Sequence, residues 1–136
     1  MILCAGDLSN EETAHILASK FKGNIYIISG NQELYEPSFF NNYKNVHHLG
    51  ITGIFSFKNI KFGLCHEPHY IYDLLEKRPD LDIIFYGHTH KPWIEQKNNT
   101  KLVNPGTLGG VFQKASFATF NTENQKLELK ILETIK

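Results

Sequence analysis

Short apolar runs and helically spaced apolar stripes alternate along the chain as far as Tyr86, and strict apolar–polar alternation takes over after it. Met1 to Ala5, Ile25 to Ser29, Ile60 to Cys65 and Leu81 to Tyr86 read as short buried strands. Between the first two, Ser9-Asn10-Glu11-Glu12 predicts a capping box, with Ser9 as N-cap and Glu12 reaching back to it. Ala14, Leu17, Ala18 and Phe21 then recur at helical spacing, and Lys22-Gly23 stops the helix. The stretch from Asn31 to Asn45 lacks a period and predicts a loop, with a short helix after Pro37. Ile51–Phe57 and Ile60–Cys65 are separated only by Lys58-Asn59, a connection of hairpin length. Tyr70, Ile71, Leu74 and Leu75 mark a second helix within Pro68 to Arg78, ended by Pro79. Trp93–Gln96, Lys101–Val103, Ser116–Phe120 and Leu127–Leu132 alternate as hairpin strands, with turns at Asn98-Asn99 and over residues 122–125.

Two helices and about nine strands, without repeat or linker, predict a single α/β domain over residues 1–136, with two sheets face to face and helices outside. Hydrophobic residues make up 41% of the chain, enough to build a real core and to argue against disorder. Fourteen basic and fourteen acidic side chains cancel, which removes any nucleic-acid or membrane electrostatic footprint. The two cysteines, Cys4 and Cys65, lie within apolar strands and are expected to be reduced core thiols rather than ligands. No signal peptide or long apolar span is evident, so a soluble, cytoplasmic protein is expected.

Four of the strand runs end on a side chain able to bind metal or phosphate. Asp7 follows Gly6, Asn31 follows Gly30, His66 follows Cys65, and His88 and His90 stand in Gly87-His88-Thr89-His90. The carboxyl ends of strands in an α/β sheet are where ligands collect. Two histidines in a polar loop are weak evidence alone, but four such ends predict one site.

Taken in order, Gly6-Asp7, Gly30-Asn31, His66 and Gly87-His88-Thr89-His90 resemble the calcineurin-like metallophosphoesterases, and most of all their small phosphodiesterase branch of the YfcE type. Val103-Asn104-Pro105-Gly106-Thr107 adds the Asn-Pro-Gly turn of that branch. The resemblance implies an α/β/β/α sandwich of the metallophosphoesterase type. It also implies an Asp-x-His motif on a first strand well upstream of Gly-Asp, which here stands at residues 6–7. The family's first strand and helix are therefore expected to be missing.

The chemistry implied is hydrolysis of a small phosphate ester by metal-activated water. Asp7 fits a bridging carboxylate, Asn31 a neutral carbonyl ligand that also reaches the phosphate, and His66 and His88 complete the set for one ion. Asn31, His66 and His88 are the candidate catalytic residues. Imidazole, amide and carboxylate donors together suit Mn, Ni, Zn or Fe better than Ca or Mg. A second ion would take Asp7 and His90, and with the Asp-x-His pair absent that site is expected to be incomplete.

Gln32 stands where many relatives in the wider superfamily place an acidic histidine, so esters with acidic leaving groups are expected to turn over best. Glu67 is expected either to crowd the metal or to support an imidazole. His69 reads as an exposed helix-start residue, and His15, His47 and His48 as structural imidazoles. The Asn-Pro-Gly turn reads as structural. The apolar Met1–Ala5 strand, whose neighbour in the family fold is the absent first strand, is expected either to self-associate as a homo-oligomer or to have its edge filled by a segment of the chain itself. The competing function is a scaffold acting through protein contacts, as in the small retromer subunit, which shares this fold and its Gly-His-Thr-His.

Overall fold

The computed structural model describes residues 1–135. Three parallel strands, Ile2–Cys4 (β1), Ile25–Ile27 (β2) and Val46–His48 (β3), form one sheet in the order β1-β2-β3. A second sheet has the order β4-β5-β6-β8-β7. It is built from Thr52–Phe57 (β4), Ile60–Cys65 (β5), Ile83–Tyr86 (β6), Trp93–Lys97 (β7) and Thr100–Asn104 (β8). Ser116–Phe120 (β9) and Leu127–Ile131 (β10) make an antiparallel pair.

The layers follow from which face each strand turns inward. Phe62, Leu64, Ile83, Phe85 and Val103 form a core with Ile28, against which Leu3 and Ala5 and the β9–β10 residues Ala118, Phe120, Leu127 and Leu129 pack. The five-stranded sheet is thus covered on one face by the other two sheets. Its opposite face carries the helix Tyr70–Lys77 (α2), where Ile71 and Leu74 meet Cys65, Ile84, Tyr86 and Leu102. The helix Glu11–Lys20 (α1) and the 3₁₀ turn Pro37–Asn42 cover the outside of the three-stranded sheet, with Ala14 and Phe40 packed on Ile27. The architecture is the α/β/β/α sandwich the sequence predicts.

Local chemistry explains the elements. Lys58 and Asn59 both take positive φ (47° and 63°), the two-residue turn whose twist matches flanking strands, and Phe57 pairs with Ile60 across it. The capping box is corrected. Asn10, with extended backbone, is the N-cap of α1 and its side chain accepts from Thr13 N at 2.9 Å. Ser9 cannot cap because it is left-handed (φ 70°) and bridges to Glu33 instead. Val46–His48 is a strand that the sequence pattern does not mark as one; it is held by pairing with β2 rather than by its own alternation. Among the described residues no helix is long and apolar enough to cross a membrane.

Candidate metal centre

The ends of β1, β2, β5 and β6 converge because β1 and β2 are parallel, as are β5 and β6, and β1 lies on the inner face of the β5–β6 sheet. His66, immediately after β5, is 4% exposed and is the buried centre of the cluster. Its Nδ1 donates to the Ala5 carbonyl oxygen at 2.7 Å, since a carbonyl can only accept. That bond sets the tautomer and leaves Nε2 of the neutral ring presenting a lone pair.

Three further donors surround that lone pair. Asn31 Oδ1 lies 2.8 Å from His66 Nε2 and 3.2 Å from His88 Nδ1. Asp7 Oδ2 lies 3.2 Å from His66 Nε2, and His88 Nδ1 lies 3.4 Å from it. Asn31 turns its oxygen to both rings, although its amide nitrogen would satisfy an unprotonated imidazole. Electron-rich atoms that face one another in a partly buried space need either a proton on an imidazole or a cation between them.

The spacing agrees with that chemistry. Bonds of about 2.0–2.1 Å to a tetrahedral ion place its ligands roughly 3.4 Å apart, and the observed separations run from 2.8 to 3.4 Å. Loading an ion therefore needs outward shifts of a few tenths of an ångström. Among the described residues no trio of His, Cys, Asp and Glu is arranged to hold a metal. Asn31 adds an amide oxygen beside these side chains, 2.8 Å from His66 Nε2 and 3.2 Å from His88 Nδ1. On its donor chemistry the cluster fits a borderline divalent ion.

Backbone geometry shapes the cluster. Asp7 (φ 59°) and His88 (φ 67°) are both left-handed, a conformation costing about 1–3 kcal/mol each that the surrounding contacts must hold in place. A Cβ on Gly30 would run into the carboxylate and backbone of Asp7, so only glycine lets these two loops meet. One carboxylate ties them: Glu33 Oε1 accepts from Gly30 N at 3.0 Å and from Asp7 N at 3.2 Å. Asp7 Oδ1 in turn accepts from Gln32 N at 2.8 Å, which leaves Oδ2 toward His66.

The Gly87-His88-Thr89-His90 loop is held from below by Asn104, which is fully buried. Asn104 Nδ2 donates to the Gly87 carbonyl at 2.8 Å and to Thr89 Oγ1 at 3.0 Å, while its Oδ1 accepts from Gly106 N at 2.9 Å. The Asn-Pro-Gly turn therefore positions the loop that carries His88 and His90. Sequence reasoning assigned no such role to Asn104 or Glu33; the i+3 spacing of Glu33 from Gly30 was the available signal.

His90 stands apart. Its Nδ1 donates to the Val111 carbonyl at 3.0 Å, and it shares no hydrogen bond with the other four among the described residues. Glu67 neither crowds nor supports the cluster by any described bond, and its carboxylate faces exposed His69 at 3.5 Å. His15 meets the Tyr43 hydroxyl at 2.6 Å, His47 stacks on Tyr26, and His48 contacts Ser29 Oγ at 3.3 Å, all structural. Cys4 and Cys65 are free, and desolvation pushes both thiols up to about 12, so neither is a ready thiolate.

Residues 1–125 match the calcineurin-like phosphoesterase superfamily domain. The chain belongs to that superfamily. Solved structures share its fold. An archaeal phosphodiesterase superposes with a TM-score of 0.81 at 18% identity, over 96% of this chain and 81% of the other. Vps29 from Entamoeba histolytica, complexed with Zn²⁺, gives 0.66 at 20% identity, over 94% and 78%. A conserved Streptococcus pneumoniae protein described as a predicted phosphoesterase gives 0.63 at 11% identity, over 95% and 88%. These likenesses show the fold alone.

Proposed function

We propose that this calcineurin-like phosphoesterase is a metal-dependent phosphodiesterase that hydrolyses a small phosphate ester with one tightly held divalent transition ion. The observation that carries it is the meeting of four lone-pair donors, with Asn31 oxygen rather than nitrogen turned to His66 and His88. Asp7, Asn31, His66 and His88 would hold the ion, one of Mn, Ni, Zn or Fe. Such an ion supplies a water of lowered pKa and charge to offset the phosphoryl oxygens.

The remaining roles belong to the chain. His66, locked by Ala5, keeps its lone pair aimed at the centre. Asn31 holds its amide oxygen toward the ion, which leaves its N–H₂ available to a phosphate oxygen. Gln32 has no proton to give as an acid, so the chain favours esters whose leaving group needs none. His90, turned to Val111, supports the reading that any second ion is weakly held. A reducing cytoplasm suits the two free thiols, and the free edge of β1 suits association with a second copy.

The decisive experiment is turnover of bis-p-nitrophenyl phosphate with added Mn, Ni, Zn or Fe. Slow hydrolysis is expected, reduced in Asn31→Ala. The absence of turnover with all four metals would move the assignment to the second reading, a scaffold acting through protein contacts, which the detached His90 favours.

A further inference from the structure

Tyr35 is 8% exposed, and its ring packs edge-on against Phe40, with centroids 5.4 Å apart, in the core formed with Ala14 and Ile27. Among the described residues its hydroxyl is the one buried side-chain polar atom without a hydrogen-bond partner. Folded proteins pair nearly every such atom, so an orphan calls for a cause. Burial pushes the Tyr35 pKa up, and the Glu33 carboxylate pushes the same way, followed by Cys4 and Asp7. The hydroxyl therefore stays a proton donor in the neighbourhood of acceptors.

The segment that carries Tyr35 is stitched to the Asp7 loop. Asp7 N donates to Glu33 Oε1 at 3.2 Å, Gln32 N to Asp7 Oδ1 at 2.8 Å, and Leu34 N to the Ser9 carbonyl at 2.7 Å. Cys4 and Leu8, which flank Asp7 in sequence, pack against the core that holds Tyr35. Glu33 Oε1 already serves two amides, those of Asp7 and Gly30, whereas Oε2 accepts no hydrogen bond among the described residues. A donor and an acceptor without partners thus belong to residues two apart, on the segment that holds Asp7. When an ion spreads the ligands by a few tenths of an ångström, Glu33 must follow Asp7 and is free to turn its second oxygen to that hydroxyl.

We propose that Tyr35 is a positioning residue of the metal centre, its hydroxyl donating to Glu33 Oε2 when the ion is bound and so fixing the carboxylate that holds Asp7. This rests on the metal-centre reading above and does not depend on turnover. A bond made only in the loaded protein adds its free energy to metal affinity, while in the metal-free protein the unpaired hydroxyl is destabilising.

The test compares Tyr35→Phe, Glu33→Gln and the double variant with the parent. The probe is whichever of Mn²⁺, Ni²⁺, Zn²⁺ and Fe²⁺ the parent binds most tightly, titrated alone by calorimetry, with melting temperatures taken without metal. Tyr35→Phe is expected to melt at or above the temperature of the parent, yet to bind the ion about tenfold more weakly. Glu33→Gln keeps an oxygen for the two amides and puts a nitrogen in place of Oε2, so the double variant binds no more weakly than Glu33→Gln alone. Parental affinity in Tyr35→Phe overturns the proposal and leaves the metal centre standing. So does a lower melting temperature of metal-free Tyr35→Phe, which marks the hydroxyl as already bonded, or additive losses in the double variant. If Glu33→Gln does not fold, the two readouts on Tyr35→Phe decide. A parent that binds none of the four ions removes the metal-centre reading and this proposal with it.

Discussion

His66 Nδ1 donates to the carbonyl of Ala5 at 2.7 Å, across 61 residues of sequence. The bond joins the end of β1 to the end of β5 and orients the imidazole so that its other nitrogen faces Asn31 and Asp7. Support of this kind from outside the ligand set is common at metal sites, where it fixes both the tautomer and the ring plane.

Metal content follows from that arrangement. The purified protein is expected to bind about one transition-metal ion per chain. His88→Ala removes a direct imidazole donor and abolishes stoichiometric binding. His15→Ala, which touches only the Tyr43 hydroxyl in a separate part of the fold, leaves it unchanged. Elemental analysis of the two variants decides, and equal metal in both would sink the assignment.

Asn104 positions the loop that carries His88. Asn104→Ala strips partners from the buried Gly87 carbonyl and from the less buried Thr89 Oγ1 and Gly106 N. The expected loss of stability is on the order of 3 kcal/mol, with metal affinity lowered roughly tenfold or more. Denaturant melts and a metal titration measure the two effects. An affinity equal to that of the parent would show that the loop keeps its shape without the amide.

Stability should fall on mild acidification through His48. Burial lowers its pKa from the ordinary 6.5, and the nearby Glu33 carboxylate only partly offsets this. Gly50 N donates to His48 Nδ1 at 3.2 Å, so the folded state uses the neutral ring. Below the unfolded value the unfolded chain therefore binds more protons than the folded one, and stability drops as pH falls through about 6.5. Thermal melts from pH 7.5 to 5.5 should show a shallower decline in His48→Gln than in the parent. Identical pH profiles would exclude His48 as the cause.

Association is expected along β1. Among the described residues this strand pairs only with β2, and the β9–β10 pair that packs on the same core belongs to a different sheet. Its free edge is apolar, and unpaired apolar edges template pairing with another chain. Size-exclusion chromatography with light scattering should show a dimer or larger species, dispersed by the edge charge of Ile2→Lys. A monodisperse monomer at every concentration would show that the edge is already protected.

Periodicity alone determined much of this protein. The stripe of α1, the Lys58-Asn59 hairpin and the buried runs of β5 and β6 follow from spacing, because amphipathic periods and two-residue turns are local properties of the chain. Local sequence also marked Asp7, Asn31, His66 and His88, since each directly ends an apolar run. Local signals failed where two residues compete for one role. Ser9 and Asn10 both suit an N-cap, and the bridge from Ser9 to Glu33 settled it in favour of Asn10. His88 and His90 look equivalent in sequence, yet opposite loops claim them, Asn31 the one and Val111 the other. The grip of Glu33 on Asp7 and of Asn104 on Gly87 likewise arises only when parallel strands bring their ends together. Contacts of that span depend on layer packing and register, and no local pattern of residues encodes them.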